Sequence, residues 1–458
     1  MTTPQDEQEW VGQNRAMQPD TRYARSADGV RIAYQVLGDQ PRDLVLVPGW
    51  IFNLEVVWDH PSFEKFMKRL LRNFRVIMFD KRGTGLSDRD AGLSTMDERM
   101  DDVRAVMDAA GSQKASLMGW SEGGNIAALF AATNPGRVDT LVLYAAGARY
   151  RHAPDYPIGF VEDFLDMGKN ILRNHWGEGL GAYLVAPSRA DDENFRKWFG
   201  RFERLSVSPG HAEAWLVANM EIDSTEVLKA VKVPTLILHN INDGFIPVEF
   251  SRYIAQQIPG SKLVEMTGDD HLFWFHNPDE VVGELENFIV GARSEDVSDR
   301  VLSTVVFTDI VDSTGQASAV GDARWREVLD NHERIIRENV ARFHGKVVEM
   351  TGDGVLATFD GPARAVTCAA RLEKALSVAG LQIRAGVHTG EIEIRDGHIS
   401  GLAIHIAARL VDLAEAGEVL ASRTVKDLSV GAAIRFQDRG VHTLRGMTEP
   451  WRLFAATT

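Results

Sequence analysis

The chain has 458 residues, room for two to three domains, and its 44% hydrophobic and 25% charged composition excludes wholesale disorder. The 65 acidic against 50 basic residues give a net charge of −15, which excludes a surface built for the phosphate backbone of nucleic acid. The single cysteine, Cys368, excludes an internal disulfide and a cysteine-based zinc site, in keeping with a reducing compartment. Residues 1–20 are polar and acidic, without the positive-then-apolar order of a secretory signal, and read as an N-terminal arm. From 21 to 292, short apolar strands are expected over 44–47, 75–79, 115–118, 141–144, 235–239 and 262–265. Helical patterns lie between them, for example over 96–110 and 122–134. That alternation predicts a mostly parallel sheet covered on both faces. The stretch over about 147–230 breaks the rhythm; it is helical in pattern and rich in aromatics, and reads as a cap inserted over the sheet. A helix with Asn277 as its cap and Pro278 in its first turn closes this block. A charged, aperiodic linker over 293–300 follows. The second block, 301–458, reads as strand 301–309, helix 323–344, hairpin 347–359, helix 362–379, strand 381–389 and a helix over 402–413. This is the βαββαβ order of a ferredoxin-like α+β layer. No apolar run reaches the ~18–20 residues of a membrane helix; the richest, over 44–52, is interrupted by Pro48 and Gly49. The expectation is a cytoplasmic protein with no membrane span and no nucleic-acid partner.

Gly119-Trp120-Ser121-Glu122-Gly123 fits G-x-S-x-G between an apolar strand and a helix, the setting that exposes a serine hydroxyl at a tight turn. The backbone N–H of Glu122 at that helix start can face a developing oxyanion, and Trp50, just after an early strand, is placed to supply a second N–H. A serine needs a base. His271 follows the last strand and Asp243 the strand before it, giving the chain order Ser, Asp, His of a triad on an open α/β sheet. Asp269 and Asp270 compete with Asp243 as the orienting acid. His239, His276 and His211 read as structural or surface residues. The aromatic cap points to an apolar acyl or ester ligand.

These residues resemble the α/β-hydrolase superfamily over about 21–292. The segment Asp80-Lys81-Arg82-Gly83-Thr84-Gly85-Leu86-Ser87-Asp88 is similar to the D-x-R-G-x-G-x-S motif of its epoxide-hydrolase and perhydrolase branch. Members that open epoxides carry aspartate where this chain has Ser121, so the resemblance implies ester hydrolysis or perhydrolysis with no cofactor.

In the second block, Asp309 ends a strand and is followed by Ile310-Val311-Asp312-Ser313-Thr314, while Asp353 sits between two glycines at the tip of the hairpin. Paired carboxylates without thiols suit a hard cation, Mg²⁺ or Mn²⁺, carrying phosphates. These stretches, with Arg384-Ala385-Gly386-Val387-His388-Thr389-Gly390-Glu391, Ala407-Ala408-Arg409-Leu410 and Asp438-Arg439-Gly440-Val441-His442-Thr443-Leu444-Arg445-Gly446, resemble the class III nucleotidyl cyclases over nearly all of 298–458. The resemblance implies a head-to-tail homodimer with shared sites. One chain would supply Asp309, Asp353 and the Ile310 carbonyl to two metal ions. The other would supply Arg409 against the transition-state charge and Arg445 near the phosphates. Three positions depart from the adenylyl pattern: Glu349 and His398 where the base is read, and His405 where the ribose is oriented. A carboxylate only accepts hydrogen bonds, and guanine offers two donors side by side, so Glu349 suits GTP on paper. ATP stays the favoured substrate because that is the commoner bacterial activity. The reading that follows is a signalling enzyme making cyclic AMP and pyrophosphate, fused to a serine hydrolase. The alternatives are a GTP-using or catalytically degenerate cyclase module that serves regulation or dimerisation, and a hydrolase fold that senses a ligand for the cyclase.

Overall fold

The computed structural model describes residues 19–291, 300–395, 398–447 and 449–458. The expected arm over 1–20 and linker over 293–300 fall almost wholly outside these residues. Two compact units are present, the first carrying strands β1–β8 and the second β9–β16.

The first unit is built on β1 (Arg22–Arg25), β2 (Arg31–Leu37), β3 (Asp43–Val47), β4 (Arg75–Phe79), β5 (Ala115–Trp120), β6 (Val138–Tyr144), β7 (Thr235–Asn240) and β8 (Lys262–Met266). They lie in the order β1-β2-β4-β3-β5-β6-β7-β8. The ladders from β4 to β8 are parallel, and β1–β2 and β2–β4 are antiparallel. Every residue of β5 and β7 is buried, as expected for a sheet covered by helices on both faces. The helix Pro61–Leu70 shows why such a segment forms: Phe63, Phe66, Met67 and Leu70 recur along one face and are buried. Pro61 opens its first turn, the Ser62 N–H donates to His60 Nδ1 at 3.2 Å, and Lys68 and Arg69 end it. Between β6 and β7 the chain forms the helices Glu162–Asn174, Ala182–Val185, Glu193–Ser206, Pro209–Met220 and Thr225–Lys229, the segment read as a cap.

The Asp80–Asp88 segment is a staple. Asp80 is fully buried and accepts the N–H groups of Leu54 and Leu86 at 3.1 and 2.8 Å. Arg82 binds Asp102 and Asp28, and Ser87 Oγ donates to the Asp80 carbonyl at 2.6 Å. Gly85 has φ +53°, and a Cβ there would sit 2.0 Å from the Asp80 carboxylate, so only glycine fits. The motif fixes the loop after β4.

The second unit contains β9 (Arg300–Ile310), β10 (Lys346–Met350), β11 (Gly354–Phe359), β12 (Ile383–Arg395), β13 (His398–Ser400), β14 (Val419–Ser422), β15 (Arg435–Thr443) and β16 (Pro450–Thr457). The order β10-β11-β9-β12 is the 2-3-1-4 arrangement of a βαββαβ layer; β14, β16 and β15 extend it and β13 pairs with β12. The helices Asp322–Arg342 and Pro362–Val378 bury Ile336, Val340, Val366 and Leu372 against Val306, Val355 and Ile383 on one face. The helix Leu402–Leu413 packs Ala403 and Ala407 with Val305 and Ile392 on the other. A Cβ at Gly386 would lie 2.4 Å from the Ala407 carbonyl, so this glycine lets that helix approach the sheet. A short helix, Ser313–Val320, precedes the long one, and Gly321 at φ +83° separates them. β12 runs to Arg395 because its ladder with β9 extends from Ile383↔Ile310 to Glu393↔Arg300. Among the described residues no helix is long and apolar enough to cross a membrane.

Candidate active site

Ser121 follows β5 and has φ +53°, a strained left-handed conformation for a side-chain-bearing residue. The flanking glycines permit it. A Cβ on Gly119 would meet the Gly123 carbonyl at 2.5 Å, and one on Gly123 would meet the Val47 carbonyl at 2.3 Å. Gly49 is also close, its hypothetical Cβ lying 2.9 Å from Trp120 Nε1 and 3.1 Å from Ser121 Cβ. The turn thus packs directly on the loop that carries Trp50. Among the described residues, the backbone N–H groups of Trp50 and Glu122 donate to no protein acceptor.

Ser121 and His271 line one apolar cavity of about 110 Å³, whose walls include Trp50, Phe164, Leu172, Phe199, Leu216 and Trp274. His271 Nδ1 lies 2.8 Å from Asp243 Oδ2, and the other oxygen of Asp243 accepts the N–H groups of Phe245 and Ile246 at 2.9 and 3.0 Å. Burial pushes the Asp243 carboxyl upward, but the His271 charge and hydrogen bond, with His239 and the Ile246 N–H, hold it below the usual carboxylate range. Asp270 turns elsewhere, accepting from the N–H and hydroxyl of Ser188 at 3.0 and 2.6 Å. His239 is buried and bonded to Ser251 Oγ and the Ile246 carbonyl, both at 2.7 Å. This geometry can do acyl transfer: a hydroxyl on a strained turn, an imidazole in the same cavity, a carboxylate fixing that ring's orientation, and, in the adjoining turn and loop, two backbone N–H groups without a protein acceptor among the described residues.

Two features of this site gave no signal in the sequence. The Glu122 side chain carries two cations, Lys81 and Arg99, and all three are buried. Burial lowers the Lys81 ammonium to about 8, against the opposing pull of Glu122. Trp215 of the cap stacks on the same pair, with Lys81 Nζ 4.6 Å from its centroid. The second is Glu203, which lines the cavity at 3% exposure. A pattern of alternating charges on a surface helix hides such a residue.

In the second unit, the ladder sets Asp309 opposite Gly354 on one side and opposite Arg384 on the other, which brings Asp353 beside Asp309 at one sheet edge. The Ile310 N–H donates to the Asp353 carbonyl at 3.0 Å. Arg384 grips Asp309 Oδ2 at 2.9 and 2.6 Å, and Ser313 Oγ donates to Asp353 Oδ2 at 2.6 Å. Among the described residues the Oδ1 atom of each aspartate has no hydrogen-bond donor, and carboxylate oxygens are the ligand type a hard cation takes. No set of three His, Cys, Asp or Glu side chains clusters for a metal among the described residues. Glu349 on β10, His398 on β13, His405 and Arg445 are exposed. Arg409 stands one turn beyond His405 on Leu402–Leu413 and meets Asp412 at 3.4 Å. The structure places Asp353 next in the chain to the ladder partner of Asp309 and leaves the other five at the surface of one chain.

The AB hydrolase superfamily protein YisY of Bacillus subtilis is 29% identical over 273 residues, 58% of this chain and 98% of that protein. An esterase from Exiguobacterium antarcticum has the same fold, with a TM-score of 0.53 at 23% identity over 59% of this chain and all of its own. The C-terminal part is similar to "Putative adenylate cyclase 3" of Rhizobium meliloti, 34% identical over 137 residues, which is 28% of this chain and 22% of that protein. Residues 44–278 match the family model described as alpha/beta hydrolase fold, and the chain belongs to that family.

Proposed function

We propose that the first unit is a serine ester hydrolase. Ser121 is the nucleophile, His271 the base that takes its proton, and Asp243 the carboxylate that orients the imidazole. The N–H groups of Trp50 and Glu122 receive the oxyanion. The observation that carries this reading is the shared cavity: strained Ser121 and Asp243-bonded His271 line the same apolar pocket. The apolar walls suit the acyl part of a small ester. Purified chain given p-nitrophenyl esters should release p-nitrophenol in a Ser121-dependent way; a rate unchanged in Ser121→Ala overturns the assignment.

A second reading, for the second unit, is supported by the pairing of Asp309 with Gly354 and by the Ile310 N–H that donates to the Asp353 carbonyl at 3.0 Å. We infer a nucleotidyl cyclase that converts ATP to cyclic AMP and pyrophosphate at the interface of a homodimer. Asp309, Asp353 and the Ile310 carbonyl would hold Mg²⁺ or Mn²⁺, two ions per site, which would neutralise triphosphate charge and acidify the ribose 3′-hydroxyl. Arg409 and Arg445 of the second copy would meet the phosphates. Glu349 and His398 would face the base, where a carboxylate acceptor suits guanine, so GTP is the competing substrate. ATP and GTP, each with Mn²⁺, are the test; no cyclic product from either at high chain concentration rejects this activity.

A further inference from the structure

The Lys81–Glu122–Arg99 cluster is attached to the Ser121 turn through Glu122, and the triad leaves it without a task. Its three charges have side chains only 2–3% exposed. Buried ions are costly to desolvate, and apolar side chains of similar volume often hold a fold as well, so stability alone explains the cluster poorly. Glu122 stands just before the helix Gly123–Thr133, yet its side chain makes no cap bond there. Its Oε2 instead accepts from Lys81 Nζ at 2.5 Å, and its Oε1 from Arg99 Nη1. The two cations come from separate elements, Lys81 from the loop after β4 and Arg99 from the helix Met96–Ala109. Arg99 is itself fixed: its Nε donates to Ser94 Oγ at 3.0 Å, and its Nη1 to Asn219 Oδ1 of the cap at 3.3 Å. The buried Trp215 ring lies over both, 4.6 Å from Lys81 Nζ and 5.3 Å from Arg99 Cζ. The carboxylate is thus held at both oxygens from two directions, under a cover that keeps water from weakening the pairs.

The peptide between Ser121 and Glu122 carries one of the two N–H groups assigned to the oxyanion. Its carbonyl accepts the Gly124 N–H at 3.1 Å, and its own N–H donates to no protein acceptor among the described residues. Strained Ser121 borders it on one side and the clamped Glu122 on the other. We propose that Lys81 and Arg99 are positioning residues of the ester hydrolase: by clamping the Glu122 side chain they fix the direction in which the Glu122 N–H meets the developing oxyanion. This rests on the serine hydrolase reading of the same turn. Neither cation lines the Ser121 cavity, so a change there leaves the walls of the acyl pocket in place and separates kcat from KM. A donor aimed at the oxyanion acts only in the transition state, and its value depends on being held in place beforehand.

The test uses the full chain as wild type, Lys81→Met, Glu122→Gln and the double variant, each melted thermally to establish folding. Lys81→Met keeps the Arg99–Glu122 pair and should lower kcat on p-nitrophenyl butyrate by about tenfold or more, with KM within about threefold. Glu122→Gln should do the same. Because Lys81 acts only through Glu122, the double variant should fall no more than about threefold below the weaker single variant. Affinity for a trifluoromethyl ketone, whose serine adduct places an oxyanion at the same spot, should drop by the factor lost from kcat/KM. An unchanged kcat in folded Lys81→Met, a rise in KM alone, or single effects that multiply in the double variant overturn the proposal and leave the hydrolase reading standing. Loss of fold in Lys81→Met also overturns it, since the cluster is then structural. Where only Glu122→Gln fails to fold, Lys81→Met and the ketone decide. Wild-type turnover that does not depend on Ser121 rejects the hydrolase reading and the proposal with it.

Discussion

The two candidate sites differ in how much of each one chain completes. In the first unit Ser121 and the Asp243-bonded His271 line one apolar cavity, together with Trp50, whose N–H, like that of Glu122, donates to no protein acceptor among the described residues. In the second, Asp353 precedes Gly354, the ladder partner of Asp309, while Glu349, His398, His405 and Arg445 stand exposed. An enclosed site is preorganised by its own fold. A site spread over exposed faces needs a second surface before its groups can act together. The contrast teaches that a motif set can be equally legible in both halves of a sequence while the structure of one copy assembles only one of them.

Breaking the enclosed site should have the largest effect. Ser121→Ala is expected to lower kcat on p-nitrophenyl esters by about 10⁶-fold, read from initial rates, without loss of fold by circular dichroism. Asp243→Asn leaves the contact but permits the wrong tautomer of His271, and kcat should fall by about 10⁴-fold. The same substitution at Asp270, which bonds Ser188, should leave kcat within about threefold, since only Asp243 reaches the ring. The shared site is sharpened by mixing. Asp309→Ala and Arg409→Ala should each lose cyclic nucleotide formation by about 100-fold or more, as should chelation of the metal. Equimolar mixing of the two variants should restore a measurable part, whereas mixtures of Ser121→Ala with His271→Ala should restore no ester hydrolysis. The smallest effect concerns Glu203. Between the ordinary carboxylate value and about 7, folded chain holds a proton that unfolded chain has lost, so its burial erodes stability as pH rises through that window. Thermal melts of Glu203→Gln should therefore gain on wild type as pH goes from about 4 to about 8, by a few degrees.

The sequence carried the parts that rest on local pattern. Runs such as Leu44–Val47 are apolar throughout because both sheet faces are covered, and G-x-S-x-G marks a turn where a Cβ on either glycine would come within 2.5 Å of backbone. The βαββαβ order was legible for the same reason: each helix repeats its apolar stripe. What stayed hidden depends on pairing and burial that no local pattern encodes. β15 is mostly polar and partly exposed, and it is a strand because it pairs with β16. Ser313–Val320 consists of small and polar residues with none buried, so it has no stripe to read. Asp243, Asp269 and Asp270 cannot be ranked until the His271 ring is seen against Asp243 at 2.8 Å. Glu203 and the Lys81–Glu122–Arg99 cluster look like ordinary surface charges until the cap covers them.

The most direct test of the enclosed serine site is covalent labelling of the native chain with a fluorophosphonate, followed by peptide mapping. The account predicts one adduct, on Ser121 within the Gly119–Gly123 peptide, absent in Ser121→Ala and slowed in His271→Ala. Folded chain that takes no label, or labels on another serine at the same rate in both variants, would contradict it.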